Sequence, residues 1–139
     1  MSAKCFVDTN ILVYAHDLTQ GTKYERARGL VQELWDRGNG VLSTQVLQEL
    51  CVSLRRKAAR PLSAEEMRKL IEDYSSWEIV VNTAESVLDA LDLESRYQIS
   101  FWDALIVQAA ANCGAEVLYS EDLSDGQSYG AVRVMDPLK

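Results

Sequence analysis

Short apolar runs alternate along the chain with stretches of helical periodicity. Cys5-Phe6-Val7 reads as a buried strand, and a short helix follows over 11–15. A longer helix is expected over 23–37, where Ala27, Leu30, Val31 and Leu34 recur at helical spacing. Gly38-Asn39-Gly40 ends it, and Val41-Leu42 is a second short strand. Residues 45–59 read as helix, with Val46, Leu47, Leu50 and Leu54 on one side. Ser63-Ala-Glu-Glu66 is a capping-box pattern that opens a helix over 63–75. A strand at 78–81 and a helix over 84–97 come next, the latter with Val87, Leu88 and Leu91 facing inward. A helix over 102–112 and strands at 117–119 and 132–135 complete the pattern. Short, apolar strands alternating with helices predict an α/β fold, with a parallel sheet covered on both faces.

Composition narrows this little. The 139 residues suit one domain, 1–139, and a chain that is 47% hydrophobic can bury a core. Three scattered cysteines, at 5, 51 and 113, form neither a disulfide framework nor a zinc site, so a reducing cytoplasm is expected. The apolar run before Asp8 is too short for a secretion signal, and no window spans a membrane. The net charge of −7 argues against indiscriminate nucleic-acid binding, although metal-binding carboxylates would add to that count. The basic run Arg55, Arg56, Lys57 and Arg60, followed by Arg68 and Lys69, reads as a solvated helix end.

In parallel α/β sheets, sites form at the carboxyl ends of the strands. Asp8 directly follows the first strand, and Asp122 lies three residues past Tyr119. Asp103 opens a helix that is apolar almost all round. Gln108 and Asn112 are its one polar stripe, so Asp103 is expected to point the other way, into the protein. A buried carboxylate is costly unless it is paired, hydrogen-bonded or bound to metal. Ser100-Phe-Trp-Asp103 also matches a helix-capping box, which is compatible with reaching a metal. Glu49 sits on the flank of its helix's apolar stripe and by itself reads as an ordinary surface acid. As a set, the four acids share one edge. Clustered carboxylates need cations, and oxygen ligands select hard ions such as Mg²⁺ or Mn²⁺, which commonly serve phosphate chemistry.

These residues resemble a known family. Phe6-Val-Asp-Thr-Asn-Ile-Leu-Val-Tyr-Ala-His-Asp17, Ser43-Thr-Gln-Val-Leu-Gln-Glu49, Ile99-Ser-Phe-Trp-Asp-Ala-Leu-Ile106 and Leu118-Tyr-Ser-Glu-Asp-Leu-Ser-Asp-Gly126 are similar, in order, to four motifs of PIN-domain ribonucleases. The nearest similarity is to VapC-type toxins of toxin–antitoxin pairs. The resemblance implies a three-layer α/β/α sandwich around a parallel sheet of about five strands. It implies that Asp8 and Asp103 bind Mg²⁺ or Mn²⁺ directly, that Glu49 and Asp122 complete the shell or hold a second ion, and that Asn10 and Ser120 orient the carboxylates. A metal-activated water would cleave RNA, leaving 5′-phosphate and 3′-hydroxyl ends. A cognate antitoxin and a homodimer through the middle helices are further implications.

The residues leave alternatives open. Glu121 adjoins Asp122 and is a possible substitute acid. His16, the sole histidine, is set aside as a general base because the family uses metal-activated water. Tyr14, Trp35, Trp77 and Trp102 are expected in the core rather than as platforms for bases. A haloacid-dehalogenase-type phosphatase needs an acid where Asn10 stands, which sets that reading aside. A non-catalytic interaction module and a stand-alone nuclease without an antitoxin are the competing functions.

Overall fold

The computed structural model describes residues 3–139. Its elements run β1 (Cys5–Val7), α1 (Thr9–Ala15), a 3₁₀ turn (Leu18–Gln20), α2 (Thr22–Arg37), β2 (Gly40–Ser43), α3 (Thr44–Val52), a π-helical turn (Ser53–Lys57) and α4 (Ala64–Tyr74). Then come β3 (Glu78–Val80), α5 (Ala84–Tyr97), α6 (Phe101–Asn112), β4 (Val117–Tyr119), β5 (Ser128–Tyr129) and β6 (Val132–Met135). Five strands are parallel, in the order β3-β2-β1-β4-β6, as the alternation predicts. A sixth, β5, pairs antiparallel with β6 at one edge. Two residues are too few to show a period, which is why the sequence does not announce it.

The strand order positions the site. The chain moves outward from β1 to β2 to β3, then returns to lay β4 on the other side of β1. Parallel crossovers are right-handed, so a reversal of direction moves the following helices to the opposite face of the sheet. On one face α1 packs on α2 and α3; on the other α6 lies against β2, β4 and β6 and is covered by α5. The crevice at such a reversal opens above the carboxyl ends of the two central strands, here β1 and β4. Both α1 and α3 start at that edge. Because α6 leads into β4, its N-terminus lies there too.

The core joins Phe6 and Val7 of β1 to Leu42, Leu118 and Val134 of the neighbouring strands, with Ile11, Leu12, Val46 and Leu50 from the helices. Helix ends follow their sequence signals. Ser63 and Glu66 form the expected capping box, Thr83 caps α5, and Gly38 closes α2 in the left-handed conformation at φ 69°. The helix expected over 45–59 is shorter. Its α-helical part stops at Val52, and the next five residues widen into the π turn closed by Ala58 N donating to Ser53 O at 3.0 Å.

Two orientation readings are corrected. Val87, Leu88 and Leu91 of α5 are exposed, Leu88 by 61%, while Ser86 and Ala90 are buried and Leu93 and Tyr97 half-buried. The inward stripe therefore begins with the small residues Ser86 and Ala90, which let α5 approach α6 closely, and continues with Leu93 and Tyr97. In α6, Gln108 is not on an outer polar stripe. It is 2% exposed and satisfied internally, donating to Asn82 Oδ1 at 2.9 Å and accepting from Asn112 at 2.8 Å. The covering α5 buries that flank, and the hydrogen bonds offset the desolvation of its amide.

Gly40 lets β2 pass under an aromatic cluster of Trp35, Tyr74 and Trp77, whose ring centroids lie 5.1–5.3 Å apart. A Cβ on Gly40 would come within 2.4 Å of the Trp77 ring. Gly40→Ala is expected to destabilise the fold by about 1–3 kcal/mol, the usual cost of overpacking, read as a lower urea midpoint with unchanged slope.

Candidate metal centre

The site grows from the ends of β1 and β4. The Asp8 backbone N–H donates to Tyr119 O at 2.9 Å, which ties the two strand ends together. Asp8 then caps α1, its Oδ1 accepting from Thr9 N at 2.7 Å. Its other oxygen accepts from Ser120 Oγ at 2.9 Å. Ser120 is fully buried, and its hydroxyl oxygen also accepts from the backbone N–H groups of Asp122 (3.2 Å) and Leu123 (3.3 Å). One serine thus fixes both the Asp8 carboxylate and the turn that carries Asp122. Asn10, one turn edge further on, donates to Asp122 Oδ2 at 3.0 Å.

Asp103 stands in the first turn of α6, which Ser100 caps by accepting from Asp103 N at 3.1 Å. It is half-buried at the rim rather than turned into the interior. It nonetheless completes a cluster: one carboxylate oxygen from each of Asp8, Asp103 and Asp122 lies within 4.8 Å of the other two. Glu49 is outside that cluster but lines the same cleft, and Thr9 Oγ1 donates to its Oε1 at 2.6 Å. Thr9, inside the Asp-Thr-Asn motif, is a positioning contact that sequence reasoning passed over. Its place next to Asp8 was the available signal.

The neighbouring acid behaves differently. Glu121 turns away from the cluster, accepting from Tyr14 OH at 2.5 Å and from Lys23 Nζ at 2.9 Å. Burial works against its charge, but the Tyr14 and Lys23 bonds hold its carboxyl below the ordinary value. Asp122 is shifted upward, by partial burial first and then by the charges of Asp103, Glu121 and Glu49. Asp8, 5% exposed, is pushed up to about 7: burial dominates, Asp122 and Asp103 add to it, and the Ser120 and Thr9 hydrogen bonds oppose it. The cluster therefore carries more negative charge than the protein itself compensates. That surplus, and the all-oxygen donor set, fit a hard divalent cation.

The cleft encloses about 360 Å³, lined by Asp8, Glu49, Asp103 and Asp122 with Thr9, Asn10, Gln45, Gln48, Val52, Ser53, Lys57, Trp102 and Ile106. Trp102 is a correction: it is 62% exposed at the cleft and not in the core. The first turn of α6 has its inner side filled by Phe101 and Ala104, leaving Trp102 outside. Lys57 is likewise not merely a solvated helix end, since the π turn brings it to the cleft. His16 lies elsewhere. Its Nε2 is 2.6 Å from Tyr74 OH, and burial, with Arg28, lowers its pKa.

The PIN domain family matches residues 5–124. No curated protein matches the sequence. Among solved structures, the chain is similar to a toxin–antitoxin complex from Klebsiella pneumoniae, at TM-score 0.71 and 19% identity, covering 96% of this chain and 98% of that one. It is similar to the sarcin–ricin-loop-cleaving toxin VapC20 of Mycobacterium tuberculosis, at TM-score 0.65 and 20% identity, over 86% and 90% of the two chains. DNA-bound VapBC from Salmonella typhimurium aligns at TM-score 0.65 and 17% identity, over 98% and 99%. At these identities the likeness is one of fold.

The upward shift of Asp8 has a signed consequence for stability without metal. Between the carboxyl's ordinary value and about 7, the folded chain holds a proton that the unfolded chain has released. Its contribution is fully present below about pH 4 and is lost as pH rises through about 7. In chelator, Asp8→Asn is therefore expected to melt higher than wild type above neutral pH, by a few degrees. That gap should shrink toward acid, as thermal melts across the pH range would show.

Proposed function

The chain belongs to the PIN-domain family, and we propose on that basis that it is a divalent-metal-dependent endoribonuclease, the toxin of a toxin–antitoxin pair. The observation that carries the reading is the convergence of Asp8, Asp103 and Asp122 at the strand-order reversal. Toxin–antitoxin complexes among its structural relatives support the biological part. An RNA substrate, a cognate antitoxin and a cytoplasmic setting belong to this proposal. No described helix is long and apolar enough to cross a membrane.

Asp8, Asp103 and Asp122 would hold Mg²⁺ or Mn²⁺, and Glu49 would complete the shell. A bound ion of this kind polarises a phosphoryl oxygen and lowers the pKa of a water. The chain's own groups do the rest. Ser120 aims Asp8 and fixes the Asp122 turn; Asn10 holds the second oxygen of Asp122; Thr9 anchors Glu49. These bonds keep acceptor oxygens pointed at one place, so that little reorganisation is needed when the substrate arrives. Tyr14 and Lys23 keep Glu121 out of the cluster, which favours Asp122 as the working acid.

Asp8→Asn is expected to reduce Mg²⁺- or Mn²⁺-dependent cleavage of RNA by more than about a hundredfold. Ser120→Ala, which removes the bond that orients Asp8 together with the two that fix the Asp122 turn, should cost about 10–100-fold in metal affinity or rate. Cleavage that persists in chelator, or is unchanged in Asp8→Asn, would sink the reading. Absence of both metal binding and cleavage would instead favour an interaction module.

A homodimer is also proposed, through the exposed apolar face of α5 formed by Val87, Leu88 and Leu91. A charge in such a contact is strongly disfavoured. Leu88→Glu should shift the chain from dimer to monomer in light scattering; a monomeric wild type would contradict the assignment.

A further inference from the structure

The π turn and the first turn of α6 both line the acid cleft, the one through Lys57 and the other through Trp102. Trp102 is 62% exposed, while its neighbours Phe101 and Asp103 are both half-buried. Its backbone is nevertheless held firmly. Its carbonyl accepts from Gln45 Nε2 at 3.3 Å, Gln45 itself is only 5% exposed, and Phe101 braces the indole edge-on at a centroid distance of 5.4 Å. Lone exposed aromatics are unremarkable on a protein surface. This one adjoins Asp103 in sequence and lines the same cleft as the three acids.

The π turn supplies Lys57, the sole cationic side chain lining a cleft with four carboxylates among the described residues. Arg55, Arg56, Lys57 and Arg60 form no salt bridge among the described residues, whereas Lys4, Lys23, Arg37, Arg68, Lys69 and Lys139 all do. A continued α-helix would carry Lys57 elsewhere; the wider π turn, a device often found at functional sites, places it at the cleft.

Resting on the nuclease reading, we propose that Trp102 and Lys57 are the substrate-binding residues beside the reacting phosphate. Trp102 stacks on one unpaired base beside the scissile bond, and Lys57 contacts a backbone phosphate. The consequence is selectivity for strands whose bases can splay out. Bases inside a duplex offer no face to the indole, whereas single strands and loops do. Every base has a stacking face, so the platform selects for accessibility rather than for sequence. A docked protein is the competing occupant of Trp102. The adjacency of indole, acids and lysine, the components of a nucleotide site, favours RNA.

The test uses the full chain, a short unstructured RNA of mixed sequence and the same RNA annealed to its complement. Binding is measured by anisotropy in chelator, where metal-dependent hydrolysis is silent, and cleavage kinetics are measured with Mn²⁺. Trp102→Ala is expected to weaken single-strand binding and raise KM by roughly tenfold, with duplex binding and direct Mn²⁺ binding unchanged. Trp102→Phe, which keeps an aromatic face, should restore most of the loss. Lys57→Ala should reduce the salt slope of single-strand binding by about 0.7. Wild-type affinity and KM in Trp102→Ala would overturn the platform while leaving the nuclease reading intact. A change of oligomeric state with RNA binding preserved would also overturn it, identifying a protein contact. A wild type that neither binds nor cleaves RNA would overturn both.

Discussion

Negative charges do not gather in a fold unless something holds them there, and in this protein the holding group is Ser120. Its buried hydroxyl donates to Asp8 and receives the N–H groups of Asp122 and Leu123, so the end of β1 and the turn after β4 are set by one side chain. The strand-order reversal brings those two ends side by side, and the crossover rule puts the start of α6, with Asp103, above them. The rest of the site hangs from this arrangement. Asn10 aligns Asp122, and Thr9 reaches back to Glu49 from α1. Burial first, and the charges of Asp122 and Asp103 after it, push the Asp8 carboxyl up to about 7. A site that destabilises its own chain in this way has its use in binding a cation, which is how function is commonly traded against stability.

Most of the fold was legible because parallel strands buried on both faces read as apolar runs. Cys5-Phe6-Val7 and Val117-Leu118-Tyr119 announced themselves and carried their following acids to the edge. Helix ends were legible where capping chemistry is local, as at Ser63 and Thr83. What failed depended on neighbours. Gln108 looked like an outer residue because periodicity cannot show that α5 covers it. Leu88 looked like a core residue because hydrophobicity does not say which of two flanks meets a partner; the small stripe of Ser86 and Ala90 won, since it permits closer packing. Among the groups that position the acids, Asn10 and Ser120 were expected from the family resemblance, and others were not. Thr9 was hidden by the motif it belongs to, and Lys57 by a helix expected to continue regularly through 59. Trp102, expected in the core with the other large aromatics, is exposed at the cleft.

The same contrast separates two adjacent acids. By resemblance to the family's motif Asp122 is the expected acid, with Glu121 left as a possible substitute. Tertiary contact tells them apart: Tyr14 and Lys23 engage Glu121 on one side of the turn, and Asn10 engages Asp122 on the other. An ion pair at that position draws one carboxylate outward and leaves its neighbour for the cluster.

The central claim is that Asp8, Asp103 and Asp122 jointly hold a divalent cation. A crystal structure with Mn²⁺, read by anomalous scattering, tests it most directly. The account requires an anomalous peak bonded to oxygens of those three residues, with Glu121 still held by Tyr14 and Lys23. A peak bonded to Glu121 in place of Asp122, or no peak in the cleft at saturating Mn²⁺, would contradict it.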